Sequence, residues 1–201
     1  AFGNEVLGLK KAIQALFNTT DHEALDLNGR SIEMTEPLDV QAAVGNLTSF
    51  TIRRVIRNGQ FNAFSSTGWD TDEVTSAATY ATSNQYELTS VANISQIQVG
   101  SLVEGNGVGR EVYVKAKDNA TGRITLSQPL YDAVGTQTYT FKRFKYMLDF
   151  SGFSELQKFI LESIDFRCNS VASAIMLAPE GAIFRCRMVD FTKPKDRGLT
   201  S

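Results

Sequence analysis

Phe159-Ile160-Leu161-Glu162-Ser163-Ile164-Asp165-Phe166 and Phe184-Arg185-Cys186-Arg187-Met188-Val189-Asp190-Phe191 are one phrase written twice, 25 residues apart. Phe159 answers to Phe184, Leu161 to Cys186, Ile164 to Val189, Asp165 to Asp190 and Phe166 to Phe191. Phe-x-Leu and Ile-x-Phe alternate with the period of a strand that turns one face inward. A unit this short cannot bury its apolar face alone. Stacked copies build a continuous core and pair each strand's backbone with the next. Each Phe is then expected to lie on its copy above and below. A third copy is expected upstream, where Leu47-x-x-Phe50-x-Ile52-x-x-Val55 has the apolar spacing of Leu156-x-x-Phe159-x-Leu161-x-x-Ile164. Leucine-rich repeats share this length, but their Leu and Asn signature is missing. A helical repeat needs apolar spacings of three and four sustained over a longer stretch than is present.

Working outward, residues 4 to 18 read as an amphipathic helix, with Val6, Leu9, Ile13, Leu16 and Phe17 near one face. A lone helix of this length is marginal in water. It is expected to cover the open end of the stack, where unpaired strand edges need protection. Ala24 to Arg30 and Ser31 to Met34 read as two short strands meeting at the Asn28-Gly29 turn signal, and Pro37 marks a loop or strand edge. Residues 47 to 64 give the first rung visible by pattern. Between 65 and 145 the repeat breaks. A polar loop from Ser65 to Asp72 is followed by strand-like pieces at 86–88, 97–99, 101–103, 111–114, 123–126 and 138–141, punctuated by Gly100, Gly105, Gly107, Gly109, Gly122 and Gly135. Short strands with glycine turns predict a small antiparallel barrel or sandwich. The repeat resumes at Tyr146-Met147-Leu148-Asp149-Phe150. The fold expected is therefore all-β: a right-handed parallel β-helix with an N-terminal capping helix and an inserted small antiparallel β domain. Its parts are a capping helix over 1–22, first rungs over 23–64, the insert over 65–145 and further rungs over 146–201. A solenoid needs a cap at both ends, and no cap pattern follows the last rung, so the chain is expected to continue beyond residue 201.

Composition narrows the function classes. Hydrophobic residues make up 42% and charged residues 21% of the 201, with a formal net charge of −2, so no basic stripe points to nucleic acid. Arg53, Arg54 and Arg57 form only a short cluster, expected to be a solvated strand edge. No apolar run approaches the roughly 20 residues that span a bilayer, so no membrane insertion is expected. Ala1-Phe2-Gly3-Asn4-Glu5 lacks the basic and apolar regions of a secretory leader. Cys168 and Cys186 fit neither a disulfide framework nor a zinc site; both are expected to be buried free thiols.

Leu25-Asp26-Leu27-Asn28-Gly29-Arg30, the rung Phe50-Thr51-Ile52-Arg53 and the repeats at 156–166 and 182–191 resemble the pectate-lyase-like β-helix superfamily. The order of helix, strand pair ending in a Gly turn, then rungs resembles the start of phage tailspike-type proteins. The insert segment Val99-Gly100-Ser101-Leu102-Val103-Glu104-Gly105-Asn106-Gly107-Val108, with Ile124-Thr125-Leu126-Ser127-Gln128-Pro129, resembles small β modules of virion fibres. The resemblance implies a virion or extracellular setting, a homotrimer contacting other virion proteins, and a cell-surface polysaccharide as ligand. It implies no cofactor. A secreted polysaccharide lyase or hydrolase and a purely structural particle adaptor are the alternatives.

Candidate site residues are few. Asp165 and Asp190 occupy equivalent rung positions, and rungs lie roughly 4.8 Å apart, so the pair approaches the spacing of retaining glycosidases. Alternation turns both outward, which makes a solvated face the simpler reading. For a lyase, Lys193, Lys195 and Arg197 are the local bases, though Lys193-Pro194-Lys195-Asp196-Arg197-Gly198 reads first as a turn. His22 follows the helix without a Ser or Cys partner and is expected to help end it. Gly105-x-Gly107-x-Gly109 has the wrong spacing for a phosphate loop. For carbohydrate, Trp69 beside Asp70 and Asp72 is the leading platform and Tyr131 the next, ahead of Tyr80 and Tyr86. The competing reading of Trp69 is burial against the helix. No metal site is expected.

Overall fold

The computed structural model of the protein describes residues 4–19, 21–181 and 183–200. The expected domain limits at 1 and 201, the tripeptide Ala1-Phe2-Gly3 of the leader reading, and position 182 of the quoted repeat lie outside the described residues. Among the described residues the protein is mostly β, with an N-terminal helix, one α-helical turn and two 3-10 turns (Thr67–Trp69 and Thr82–Asn84), and it divides into two compact units. The first unit comprises residues 1–70 and 145–201, the second 71–144.

The first unit opens with α1 (Glu5–Asn18), started by Asn4, whose side chain accepts from the Leu7 N–H at 3.1 Å. Thr19 ends it by donating its own N–H to the Ala15 carbonyl. Then follow β1 (Ala24–Met34), β2 (Leu38–Asp39), the single turn α2 (Val40–Ala43), β3 (Ser49–Phe50) and β4 (Arg54–Ala63). The second unit supplies β5 (Asp72–Tyr80), β6 (Glu87–Thr89), β7 (Leu102–Glu104), β8 (Val114–Asp118), β9 (Arg123–Leu126) and β10 (Gly135–Arg143). The first unit resumes with β11 (Tyr146–Asp149), β12 (Glu155–Leu156), β13 (Phe159–Arg167), β14 (Ser173–Met176), β15 (Phe184–Thr192) and β16 (Leu199–Thr200).

Three sheets of parallel strands make up the first unit: β1-β4-β13-β15, β2-β11-β14-β16 and β3-β12. From β1 to β14 the chain visits them in rotation, each visit adding a strand beside the previous one; between β14 and β15 the third is met only through an isolated bridge of Glu180 to Glu155. Phe159 pairs with Phe184, Leu161 with Cys186, Ile164 with Val189 and Phe166 with Phe191, the offset read from the sequence. The Phe159 and Phe184 rings lie 5.6 Å apart, and Phe166 sits between Phe61 at 5.1 Å and Phe191 at 5.5 Å. Side chains from all three sheets and the apolar face of α1 meet in one core. Phe17 of α1 lies 4.5 Å from Phe50 and 6.0 Å from Phe159.

Two local expectations need correction. The upstream copy is four residues out of place: Phe159 pairs with Arg54, Leu161 with Ile56, Ile164 with Gly59 and Phe166 with Phe61, while Phe50 pairs with Leu156. The pattern is masked because Arg54 and Gly59 stand where apolar residues recur. Arg54 is buried, donates Nε to the Leu16 carbonyl and Nη1 to the Arg53 carbonyl, and places its guanidinium 5.4 Å from the Phe50 ring. Gly59 leaves room for Leu27, which any side chain there would strike. The first strand of this sheet is β1, which lies within the stretch 23–64 expected for the first rungs. Asn28-Gly29 does not reverse the chain. β1 runs through it, with both residues in the left-handed region (φ 52° and 73°) and the register shifting between Asp26 and Arg30. The shift adds a bulge to the strand instead of a hairpin.

The left-handed bend recurs along the sheet. Asn58, Ser163 and Met188, at φ 60°, 53° and 49°, fall between register pairs 57/162/187 and 59/164/189. On one side of the bend, Asp26, Arg57, Glu162 and Arg187 are lateral neighbours of alternating sign. Arg57 Nε reaches Asp26 Oδ2 at 3.0 Å and Arg187 Nη1 reaches Glu162 Oε1 at 3.7 Å. The Asn28 N–H, then the Asn58 amide and Arg57, hold the Asp26 carboxyl below its ordinary range. The arginine cluster is thus split: Arg53 pairs with Glu23 at 3.0 Å, Arg57 joins the charge row, and Arg54 is internal.

The second unit is a six-stranded antiparallel sheet, β7-β10-β5-β6-β9-β8, around its own core. Its longest pairing joins β10 to β5 over nine residue pairs. β5 has no counterpart among the expected pieces, because Ser76 and Ala78 fill inward positions where large apolar residues would have shown the alternation. Residues 97–99, expected as a strand, belong to a turn region instead. Lys117 Nζ donates there to the carbonyls of Ile94 (3.2 Å), Ser95 (3.3 Å) and Ile97 (2.6 Å).

Candidate functional site

On the outer face of the parallel sheet β1-β4-β13-β15, Gln60, Asp165 and Asp190 are register neighbours, one residue past the buried Gly59 and Ile164 and the half-buried Val189. Alternation turns them away from the core. A shallow cleft of about 330 Å³ lies over them, lined also by Gly29, Asn58, Ser163 and Met188. Asp165 is half-buried. Its Oδ2 accepts from Arg167 Nε at 2.8 Å, and its Oδ1 is shielded from solvent without a hydrogen-bond partner. Asp190 is exposed. Two adjacent carboxylates could accept hydrogen bonds from a polyol, and Arg167 anchors one of them. Sequence reasoning found the acids and missed Arg167, two residues from Asp165 on the same strand, and Gln60 and Asn58, which become neighbours only once the register is known. The cleft lacks a histidine or lysine that would serve as a lyase base.

Trp69 does not offer a sugar platform. Its ring is buried in the core of the first unit, and its indole N–H donates to the Phe64 carbonyl at 2.9 Å. Burial follows from the ring's large apolar area once its one donor is satisfied. Asp70 is exposed. Asp72 begins β5 in the second unit, where Gln98 Nε2 donates to it at 3.0 Å. The stretch 193–197 forms turn and strand-edge contacts: Lys195 Nζ donates to the Trp69 carbonyl at 3.2 Å, and the Ala174 N–H donates to the Arg197 carbonyl at 3.0 Å.

Tyr131 fares differently. In the second unit its side chain is 89% exposed, with Val134 also exposed beside it. The loop beneath is fixed. The Tyr131 N–H donates to the Val108 carbonyl (3.3 Å) and the Asp132 N–H to the Gly107 carbonyl (2.7 Å). Gly107 can have no side chain, since a Cβ would lie 1.9 Å from the Asp132 oxygen. Gln137 bonds both the N–H and the carbonyl of Asn106, at 3.1 and 2.8 Å. Of the other tyrosines, Tyr80 is buried and exchanges hydrogen bonds with Leu130, and Tyr86 is exposed.

The thiols differ from one another. Cys168 is buried, and burial, with Asp165 nearby, pushes its pKa up to about 11. Cys186 is exposed, contrary to expectation, because β15 is the edge strand and its core-facing position is uncovered. Among the described residues, no group of three or more His, Cys, Asp and Glu side chains could hold a metal ion, and no helix is long and apolar enough to cross a membrane. No protein-family model matches the chain, and no curated protein matches it significantly in sequence.

Proposed function

We propose that the first unit is a right-handed parallel β-helix, capped at its β1 end by α1, and that the chain is a spike or fibre subunit of a virus particle. On this reading the second unit is a module carried by the stack, and the subunit is a homotrimer that contacts other virion proteins and binds cell-surface polysaccharide. Three parallel sheets visited in rotation, with a 25-residue register between β13 and β15, support the architecture. The observation that carries the binding role is Tyr131: an open aromatic ring on a hydrogen-bonded loop is the kind of surface on which a sugar ring stacks, at little cost in ordering. The test is binding of the chain to an array of bacterial surface polysaccharides, with Tyr131→Ala beside it, and its mass in solution. Glycan binding lost in the variant, from a trimeric particle, is the expected result. A stable monomer without affinity for any glycan refutes the reading.

A second reading, polysaccharide cleavage, draws on Asp165 and Asp190 over their cleft. It requires depolymerisation that Asp165→Asn and Asp190→Asn each abolish. Turnover absent on acidic and neutral glycans alike eliminates it.

A further inference from the structure

Two charged side chains flank the open ring of Tyr131 in the second unit. Residues 107–111 and 128–132 run side by side in opposite directions. The Asp132 N–H donates to the Gly107 carbonyl at 2.7 Å and the Tyr131 N–H to the Val108 carbonyl at 3.3 Å, while Gln128 Nε2 donates to the carbonyls of Arg110 and Glu111 at 2.8 and 3.1 Å. Asp132 therefore adjoins Tyr131 on one side and Arg110 lies towards the other, both exposed. Gly109, at φ 93°, brings the main chain before Arg110 against the root of the ring, since a Cβ there would lie 3.5 Å from Tyr131 Cβ. Elsewhere in the second unit cations are engaged. Arg123 reaches Glu87 at 3.5 Å, Lys142 reaches Glu104 at 2.7 Å, Lys117 donates to three carbonyls, and Arg143 Nη1 donates to the Phe144 carbonyl at 3.2 Å. Among the described residues neither the Arg110 guanidinium nor the Asp132 carboxylate has an ion pair or hydrogen bond. Glu111, the acid next in sequence to Arg110, accepts instead from the Tyr113 hydroxyl at 2.7 Å.

We infer that the polysaccharide held at Tyr131 is acidic: one sugar ring stacks on Tyr131, its carboxylate pairs with Arg110 and its hydroxyls donate to Asp132. This rests on the reading of Tyr131 as a glycan platform and adds the class of glycan. A stacked ring alone does not distinguish neutral sugars from acidic ones. The planar fork of a guanidinium matches a carboxylate with two parallel hydrogen bonds. An ionised Asp132 has acceptors only, so it takes hydroxyls and repels a second carboxylate. The two charges together fix which end of the sugar faces Arg110. A neutral sugar leaves Arg110 unused. Because main-chain hydrogen bonds already hold both segments, little ordering is needed on binding.

The probes are polygalacturonate, alginate, hyaluronate and polysialate, each beside the same polymer with its carboxyl groups reduced to alcohols. Each is titrated against the whole chain and its affinity measured. An acidic polymer is expected to bind, and its reduced form to bind about fivefold more weakly, the worth of one well-formed exposed ion pair. Arg110→Gln brings the acidic polymer down to the affinity of the reduced one and leaves the reduced one unchanged. Arg110→Lys keeps part of the difference, and Tyr131→Ala removes binding of both. Arg110 and Tyr131 are surface side chains, so the variants keep their fold, checked by near-ultraviolet circular dichroism. Equal affinity for the acidic and reduced forms, still lost in Tyr131→Ala, overturns the acidic class and leaves the glycan platform standing. A preference for the acidic form that survives in Arg110→Gln overturns the role of Arg110. Binding to no polymer, acidic or reduced, overturns this inference together with the reading beneath it.

Discussion

Phe166 offers the sharpest test of the stacked core. Its ring is fully buried and lies between Phe61 at 5.1 Å and Phe191 at 5.5 Å. Truncating such a ring costs about 3–5 kcal/mol through lost transfer energy and the cavity left behind. Within that total, two aromatic contacts account for about 0.5–1.5 kcal/mol each. Phe191 occupies the same column one strand on, but it is half-buried and covered from one side. Its truncation should therefore cost only about 1–2 kcal/mol, for the area it hides. Phe166→Ala and Phe191→Ala then differ by about 2 kcal/mol, although both delete the same side chain at equivalent positions. Urea unfolding followed by Trp69 fluorescence measures this directly. Trp69 is the sole tryptophan and sits in the same core, so the signal reports the first unit. An unchanged denaturant slope shows that both variants unfold between the same end states. If Phe166→Ala folds too poorly, Phe166→Leu provides the comparison at a smaller cost, about 1–1.5 kcal/mol. Equal losses at the two positions, or a larger one at Phe191, would refute the reasoning that the column is closed at β13 and open at β15.

Met188 holds a left-handed backbone at φ 49° with its side chain 75% exposed, so Met188→Asn should raise stability by about 0.5–1 kcal/mol, read as a higher urea midpoint. Lys117→Met keeps the aliphatic stem and leaves three carbonyls without their ammonium; a loss of roughly 1–3 kcal/mol is expected in the second unit, measured by hydrogen exchange at the amides of 94–97. At pH 8 a thiol reagent should label Cys186 quickly and Cys168 only on unfolding. Since folding raises the Cys168 pKa to about 11, the folded form retains a proton that the unfolded form loses first. Its contribution is complete below the ordinary thiol pKa and disappears as pH rises towards about 11. Wild type should therefore lose more of its urea midpoint between pH 8 and 10.5 than Cys168→Ala, and equal losses would contradict this.

The amphipathic face of α1 and the pairing of β13 with β15 were both legible in the sequence, since each depends on a spacing that apolar residues display openly. Val6, Leu9, Ile13, Leu16 and Phe17 all point into the core. The pairing of β4 was hidden by the opposite circumstance. Arg54 substitutes a guanidinium over Phe50 for a hydrocarbon, and Gly59 lends its volume to Leu27. A search for greasy positions passes over both. β5 escaped for a related reason, because Ser76 and Ala78 are inward and small. The candidate site was less legible still. Asp165 and Asp190 were visible as repeat equivalents, but Gln60 joined them only through the shifted register. Trp69 and Tyr131 look alike as aromatics in polar loops. What separates them is tertiary: a carbonyl at Phe64 satisfies one inside the core, while the Gly107–Asp132 contact holds the loop of the other open.

The recurring left-handed kink at Asn58, Ser163 and Met188 restricts how such a chain can change in length. Removing one residue ahead of the kink would swap the inside and outside of the following segment and slide every lateral partner. Duplicating a whole 25-residue period, such as 159–183, would keep the register between β13 and β15 and widen their sheet by one inter-strand distance, about 4.8 Å. Between β13 and β15 a change of length is thus absorbed in whole periods, whereas β1 takes up its two extra residues in the bulge at Asn28-Gly29.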